Sequence, residues 1–208
     1  MHVRIRKYQG TDREGIRAIA ASTARGCHLS DLRLLADVLT DYYIFYEPEH
    51  ILVAERESEI LGYLLGCFNT MLCRRIKAGR VIPRAVLKAL PRAKIGRREF
   101  KYLALSLSLS IQKKHNSNPP AEYPAHFHIN VKKKARGMGI GAKLVGEFLM
   151  MLRKAGVKGV HVRVRENDRR AREFFKKFGF ARQSGYPALI AEKEGIRTSR
   201  TVIYAKTL

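Results

Sequence analysis

The chain has no tryptophan, three cysteines among 208 residues, and 18 acidic side chains against 41 basic ones. Cys27, Cys67 and Cys73 are an odd number without CxxC spacing, which argues against a disulfide framework and against a metal site. The longest apolar stretches, near 61–68 and 103–111, fall far short of the ~18 residues a membrane-spanning helix needs. The opening MHVRIRKYQG alternates like a strand and lacks the apolar core of a secretory leader. A cytoplasmic protein with reduced thiols is therefore expected, with no membrane partner. Internal repeats and low-complexity tracts are absent too.

What is present is an ordinary globular composition, 46% hydrophobic and 28% charged, over a length suited to one domain spanning 1–208. The net charge of +23 is unevenly placed. Residues 1–68 carry 8 basic and 10 acidic side chains, 69–101 carry 11 and one, and 102–208 carry 22 and 7. The excess begins abruptly at Arg74. One particular part of the molecule faces anions, which a uniformly sticky cation would not do.

Alternation predicts a strand over 2–8. Thr11, with Glu14 three residues on, reads as a capping box opening a helix that ends near Ala24. Apolar residues at helical spacing (Leu32, Leu35, Val38, Leu39, Tyr42, Tyr43) predict a second helix over 29–46. Strands over Ile51–Arg56 and 60–68 follow, turned at 57–59. Residues 69–122 read as a basic, helical insert, with a helix over 81–90, another over 103–111, and a closing loop at 116–120. Downstream come a strand (Ala125–Val131), a helix (139–155), a strand (Gly159–Arg165), a helix (168–178), and closing strands at 180–184 and 201–206. The fold class is α/β or α+β, a mixed central sheet with helices on both faces.

The informative stretch is Val131-Lys-Lys-Lys-Ala-Arg136-Gly137-Met138-Gly139-Ile140-Gly141-Ala142-Lys143. Glycines at alternate positions between a strand and a helix let successive backbone N–H groups approach an anion, and the helix N-terminus adds positive potential. A pyrophosphate suits such a turn. The spacing is neither that of a dinucleotide fingerprint nor that of a P-loop.

Arg136-x-x-Gly139-x-Gly141 after a strand resembles the acetyl-CoA signature of the GNAT superfamily of N-acetyltransferases. The run Asn167-Asp168-Arg-Arg-Ala171-Arg-Glu-Phe174-Phe175-Lys-Lys-Phe178-Gly179-Phe180 is similar to that family's second motif. Tyr123-Pro-Ala-His126-Phe-His128-Ile and Gly159-Val-His161 look like a branch that includes the acetyltransferase-like domain of O-GlcNAc hydrolases. The resemblance implies a GNAT-like acyl-CoA acyltransferase fold with acetyl-CoA as acyl donor. It implies direct transfer of the acetyl group to a primary amine of an unidentified acceptor. The donor's pantetheine arm would pair with backbone around Ile129 and Val131, and the segment from Arg136 through Gly137, Met138, Gly139, Ile140, Gly141 and Ala142 would hold the pyrophosphate. An N–H near Asn130 or Val131 would polarise the thioester, and Asn167 would contact the donor or cap the second motif's helix. The family's proton-donating tyrosine falls at Phe175, which lies in the donor-binding motif but cannot protonate a thiolate, leaving Tyr186 or water to do so. That departure keeps open a donor-binding module with weak or no catalysis.

His126 and His128 share one strand face with Asn130, and either could serve as a base, or both could be core residues. His161 on the neighbouring strand could complete a histidine cluster. No metal is expected. The basic run from Arg74 to Arg98 lies outside both motifs. It suits a solvated face, a contact between two copies of the chain, an acidic substrate, or nucleic acid or the ribosome, although no base-stacking module accompanies it.

Overall fold

The computed structural model of the protein describes residues 3–23, 32–89, 91, 121–192 and 195–208. The helix expected over 103–111, the loop at 116–120, Cys27 and the distal arginines of the insert lie outside these residues.

The first strand, β1 (Arg4–Lys7), leads into a 3₁₀ turn at Gly10–Asp12 and helix α1 (Arg13–Thr23). Thr11 is not the cap. The Asp12 carboxylate takes the Gln9 N–H at 2.8 Å and the Arg6 guanidinium at 2.6 and 2.8 Å, and this charged arrangement sets where the helix begins. Helix α2 (Leu32–Tyr46) packs on α1. Strands β2 (Ile51–Arg56) and β3 (Glu59–Cys67) form the expected hairpin. Glu57 and Ser58 take φ of 51° and 63°, the left-handed pair whose twist matches the flanking strands.

The described part of the insert is helical from its start. Asn69 caps α3 (Thr70–Ile76) by accepting the Leu72 N–H at 3.0 Å, and a π turn at Lys77–Val81 joins it to α4 (Ile82–Ala89). Sequence periodicity reveals only the second of these helices. Strand β4 (Ala125–Val131), helix α5 (Ile140–Lys154), strand β5 (Gly159–Arg165) and helix α6 (Arg169–Lys177) match their expected positions closely. Strands β6 (Ala181–Glu192) and β7 (Gly195–Thr207) are much longer than expected. Gly185, Pro187 and Gly195 blur their alternation, and beyond the Arg165–Thr201 pair this hairpin runs on without β5 beside it.

The sheet has seven strands in the order β1-β2-β3-β4-β5-β7-β6, antiparallel throughout except where β4 meets β5. Its two faces carry separate cores. Leu144, Val145, Phe148 and Leu152 of α5 pack with Phe127, Val162, Phe175 and Phe180 on one. Ile16, Ile19, Tyr42 and Tyr43 of α1 and α2 pack with Val53, Tyr63, Leu65 and Cys67 on the other. The first face is keyed by Phe148, which is fully buried against Phe68 and Phe127 and lies directly over Gly66.

A Cβ at Gly66 would lie 2.1 Å from the Phe148 ring and 2.7 Å from the His50 carbonyl oxygen. Gly66→Ala should therefore lower stability by about 1–3 kcal/mol in urea denaturation, as overpacked cores do. Phe148→Leu in the Gly66→Ala background should recover part of that loss, because the two positions share one space.

Candidate active site

The site is set by a short ladder. β4 and β5 run parallel and pair only at Ala125–Val160 and His126–His161, while β4 stays paired to β3 as far as Val131 and β5 to β7 as far as Arg165. Beyond His126 the two strands part. The Lys132 N–H donates to the Leu61 carbonyl at 2.8 Å, so alternation points the backbones of Asn130 and His128 at β3. The N–H and C=O groups of Phe127, Ile129 and Val131 consequently face the opening. Ile129 and Val131 are thus placed to pair with a ligand's amides, and Val131 can donate to a thioester oxygen. Asn130 cannot share that task. Its N–H belongs to the β3 ladder, and its side-chain amide donates to the Tyr63 hydroxyl at 2.8 Å.

At the mouth of the opening, Lys133–Ala135 forms a 3₁₀ turn, and the Arg136 Nε folds back onto the Val131 carbonyl at 3.2 Å. Gly137 and Gly139 adopt φ of 90° and 74°, which side-chain-bearing residues rarely take, and no atom approaches the place of their missing Cβ. Gly139 precedes α5 without any side-chain cap. The N–H groups of Ile140, Gly141 and Ala142 form the first turn of a 15-residue helix, and they suit a pyrophosphate. The Ile140 side chain is buried, whereas Met138 is exposed. A Cβ on Gly141 would sit 3.4 Å from the Phe174 ring, so this glycine allows α6 to close against the turn.

Two other expectations change. Asn167 does not cap α6; Asp168 does, accepting the Ala171 N–H at 3.0 Å, and Asn167 stays exposed. Phe175 is a core residue, 6% exposed, edge-on to Phe127, Phe174 and Phe180, so it supplies packing. Among the flanking lysines, Lys132 and Lys134 are paired with Glu59 at 2.9 and 2.8 Å, which drives that exposed carboxyl down to about 2.

On the opposite face the histidines do cluster, with the His126 ring 5.8 Å from His128 and 5.6 Å from His161. Thr70 spends its hydroxyl proton on the Pro124 carbonyl at 2.7 Å, so it must accept from His126 Nδ1 at 2.8 Å. The His126 Nε2 therefore carries the lone pair and accepts the Tyr43 hydroxyl at 2.8 Å, with burial holding that phenol protonated. With both ring nitrogens committed, His126 positions its neighbours and is not a base. His161 donates its Nδ1–H to the Tyr123 carbonyl at 2.9 Å and is buried. His128 alone of the three is exposed, edge-on to Tyr43, at the floor of the opening.

The fold also unites what sequence spacing keeps apart. The sulfurs of Cys67 and Cys73 and a ring nitrogen of His126 all lie within 4.8 Å of one another. The expectation of no metal rested on the absence of ligand spacing, and that premise fails. The donor set has the softness zinc favours, but here it is occupied internally. The thiols hydrogen-bond each other, raising Cys67 and lowering Cys73, while His126 serves Tyr43 and Thr70.

Arg163 and His161 project from the same face of β5, and α3 lies across it, with Cys73 buried against β3. Lys77 places its Nζ 5.4 Å above the Tyr43 ring. Burial lowers Arg74, and the positive charge of Arg163 lowers it further. Tyr186 lies on β6, two strands from β5 across β7, roughly 10 Å at ordinary strand spacing. Such a position is poor for protonating a thiolate between β4 and β5. Sequence reasoning missed Thr70, Tyr43 as the partner of His126, and Arg163. The alternation of β5 was the available signal for Arg163, since it places His161, Arg163 and Arg165 together.

Residues 108–180 match the acetyltransferase (GNAT) family. The crystal structure of SsHAT superposes with a TM-score of 0.74 at 23% identity, covering 100% of this chain and 98% of that one. Ard1 from Thermoplasma volcanium does so at 0.61 and 17%, covering 100% and 99%. Ribosomal-protein-alanine N-acetyltransferase from Brucella melitensis gives 0.58 and 17%, covering 99% of each chain. Over residues 108–180 the chain is similar to the GNAT acetyltransferases, whose acyl donor is acetyl-CoA, and over its whole length it shares the fold of these solved structures. The parted strands and the uncapped glycine turn fit that donor.

Withdrawal from bulk solvent lowers all three histidines, although the His128 side chain keeps part of its surface exposed. His161 falls to about 4, its carbonyl partner offsetting part of the effect, and His128 falls to about 3 with Lys77 and Arg163 adding repulsion. His126 lies well below the usual value, through burial and then its histidine neighbours. An unfolded histidine near 6.5 binds protons that these folded ones refuse, so stability is complete above about pH 6.5 and falls as pH drops toward 4. A buried histidine such as His161 contributes up to about 1.4 kcal/mol per pH unit in that window. Urea midpoints should fall steadily between pH 7 and 4.5, and His161→Gln should flatten the profile; an unchanged slope in that variant would contradict the assignment.

Proposed function

We propose that the protein moves the acetyl group of acetyl-CoA directly onto a primary amine that approaches from the α1–α4 face of the sheet. The observation that carries this reading is the parting of β4 from β5 beside the uncapped start of α5, with an exposed imidazole on the far side. Bound acetyl-CoA supplies an activated acyl thioester. The chain's own groups do the rest. The Val131 N–H is aimed into the opening and stabilises negative charge on the carbonyl oxygen as the amine attacks. The N–C bond forms, the C–S bond breaks, and sulfur keeps the electron pair.

His128 is neutral at physiological pH and accepts the proton that the attacking nitrogen gives up. Its conjugate acid is disfavoured there, so the proton passes quickly to water. Tyr43 and His126 hold that ring edge-on without joining the transfer. With Phe175 in the core and Tyr186 remote, water is left to protonate the departing thiolate. The narrower likeness to the acetyltransferase-like domain of O-GlcNAc hydrolases rests on the residues around His126 and His161 and does not define the acceptor.

Gly139→Val should weaken acetyl-CoA binding at least about tenfold in calorimetry at low salt, because the left-handed turn would be strained and its donors misdirected. His128→Ala should leave that affinity intact and lower the rate of thiol release with an amine acceptor by about 10²-fold or more. Binding without release for any amine would leave the donor-binding module as the correct description. No acetyl-CoA binding at all would end the proposal.

A further inference from the structure

The layer between α3 and the sheet holds soft donors that acetyl transfer does not use. Cys67 and His126 are direct cross-strand partners on β3 and β4, and Cys73 comes down beside them from α3. The two sulfurs and a ring nitrogen of His126 all lie within 4.8 Å of one another, and both cysteines are buried. In a tetrahedral zinc site, with Zn–S of about 2.3 Å and Zn–N of about 2.0 Å, the same atoms stand about 3.5–3.8 Å apart. These three side chains therefore close on one ion with adjustments of roughly 1 Å. Three separate elements supply them, which is why no spacing in the sequence announces the set.

The imidazole is already oriented for this. Its Nδ1–H is held by the Thr70 oxygen at 2.8 Å, and Thr70 is fixed in turn on the Pro124 carbonyl at 2.7 Å. Metal-bound histidines share that arrangement, with one nitrogen on the ion and the other N–H anchored on an oxygen. The lone pair left at Nε2 accepts the Tyr43 hydroxyl at 2.8 Å, a neutral hydrogen bond that a cation can replace. The Cys73 thiol lies below its usual value, chiefly through its hydrogen bond with Cys67 and then, against burial, through the charge of Lys77. Two thiolates cancel the charge of a divalent ion, so the buried layer stays neutral, and the two thiol protons pass to water. The Glu47 carboxylate serves Tyr42, His50 and the Phe68 N–H, which leaves the fourth position to water or the Tyr43 oxygen. His126 is only partly buried and the exposed His128 ring is 5.8 Å away, so an ion can enter from the opening.

We propose that Cys67, Cys73 and His126 bind a zinc ion that ties α3, and with it the start of the basic insert, to β3 and β4. Two thiolates and an imidazole suit Zn²⁺ and reject the hard cations Mg²⁺ and Ca²⁺. The site stands independently of the acetylation reading, in which His126 takes no part in proton transfer. It lies on the face of the sheet opposite the glycine turn, so it acts on the packing of the insert and leaves donor binding alone.

The intact, tag-free protein, stripped with a chelator and kept under a phosphine reductant, can be titrated with Co²⁺ and then Zn²⁺. Cobalt should produce an intense near-ultraviolet thiolate-to-metal charge-transfer band that saturates at about one ion per chain, and zinc should erase it. X-ray absorption of the zinc-loaded protein should show two sulfur neighbours at about 2.3 Å and nitrogen at about 2.0 Å. Cys67→Ala and Cys73→Ala should each abolish the band and weaken zinc binding at least about hundredfold, and Thr70→Val, which only frees the imidazole to turn, about tenfold. Saturating zinc should raise the urea midpoint of the unmodified protein and leave that of Cys73→Ala unmoved. The absorption measurement needs no variant, so it decides the matter even if a substituted chain fails to fold. Cobalt bound without a thiolate band marks an adventitious surface site and would overturn the proposal. So would a band that survives both cysteine substitutions, or fewer than two sulfur neighbours around zinc.

Discussion

The opening in this sheet follows from two paired residues on each side of the β4–β5 junction. Had the ladder continued, the backbone of Phe127, Ile129 and Val131 would have been spent on β5. Because the neighbouring ladders persist, β4 to β3 and β5 to β7, the strands diverge without fraying, and polar backbone is exposed inside an otherwise satisfied sheet. Unpaired peptide groups at the centre of a sheet are costly unless water or a ligand serves them. That cost is what suits the opening to a ligand.

The two faces of the sheet divide the labour. On one, the aromatic core around Phe127, Phe148 and Phe175 fixes α5 and α6, and with them the glycine turn. On the other, a polar chain from Pro124 through Thr70 and His126 to Tyr43 ties the insert to β4. This chain commits both ring nitrogens of His126, whereas His128, one strand repeat further, stays exposed. The thiols of Cys67 and Cys73 belong to the same packed layer and anchor α3, and Lys77 at the end of that helix reaches over Tyr43.

The charge imbalance noted at the outset now has places. Lys132 and Lys134 share the one carboxylate of Glu59, so that part of the basic loop is partly compensated within the fold. From the insert, Lys77 turns onto the Tyr43 ring, within the layer that also holds His126 and His128.

Residue pattern alone determined the strands β2 to β5, helices α1, α2, α5 and α6, and the glycine turn, because periodicity and left-handed glycines are local properties. It also placed His126, His128 and His161 on adjacent strands. Tertiary structure decided which of them is available, since the tautomer and commitment of His126 depend on Thr70 and Tyr43, 56 and 83 residues away along the chain. It gave the Asn130 N–H to the β3 ladder, the helix cap to Asp168 in place of Asn167, and Phe175 to the core, and it set Tyr186 two strands from the opening. It brought Cys67 and Cys73 to His126, and Lys77 to Tyr43. Local pattern can say which face a side chain takes; only the path of the strands can say what stands across from it.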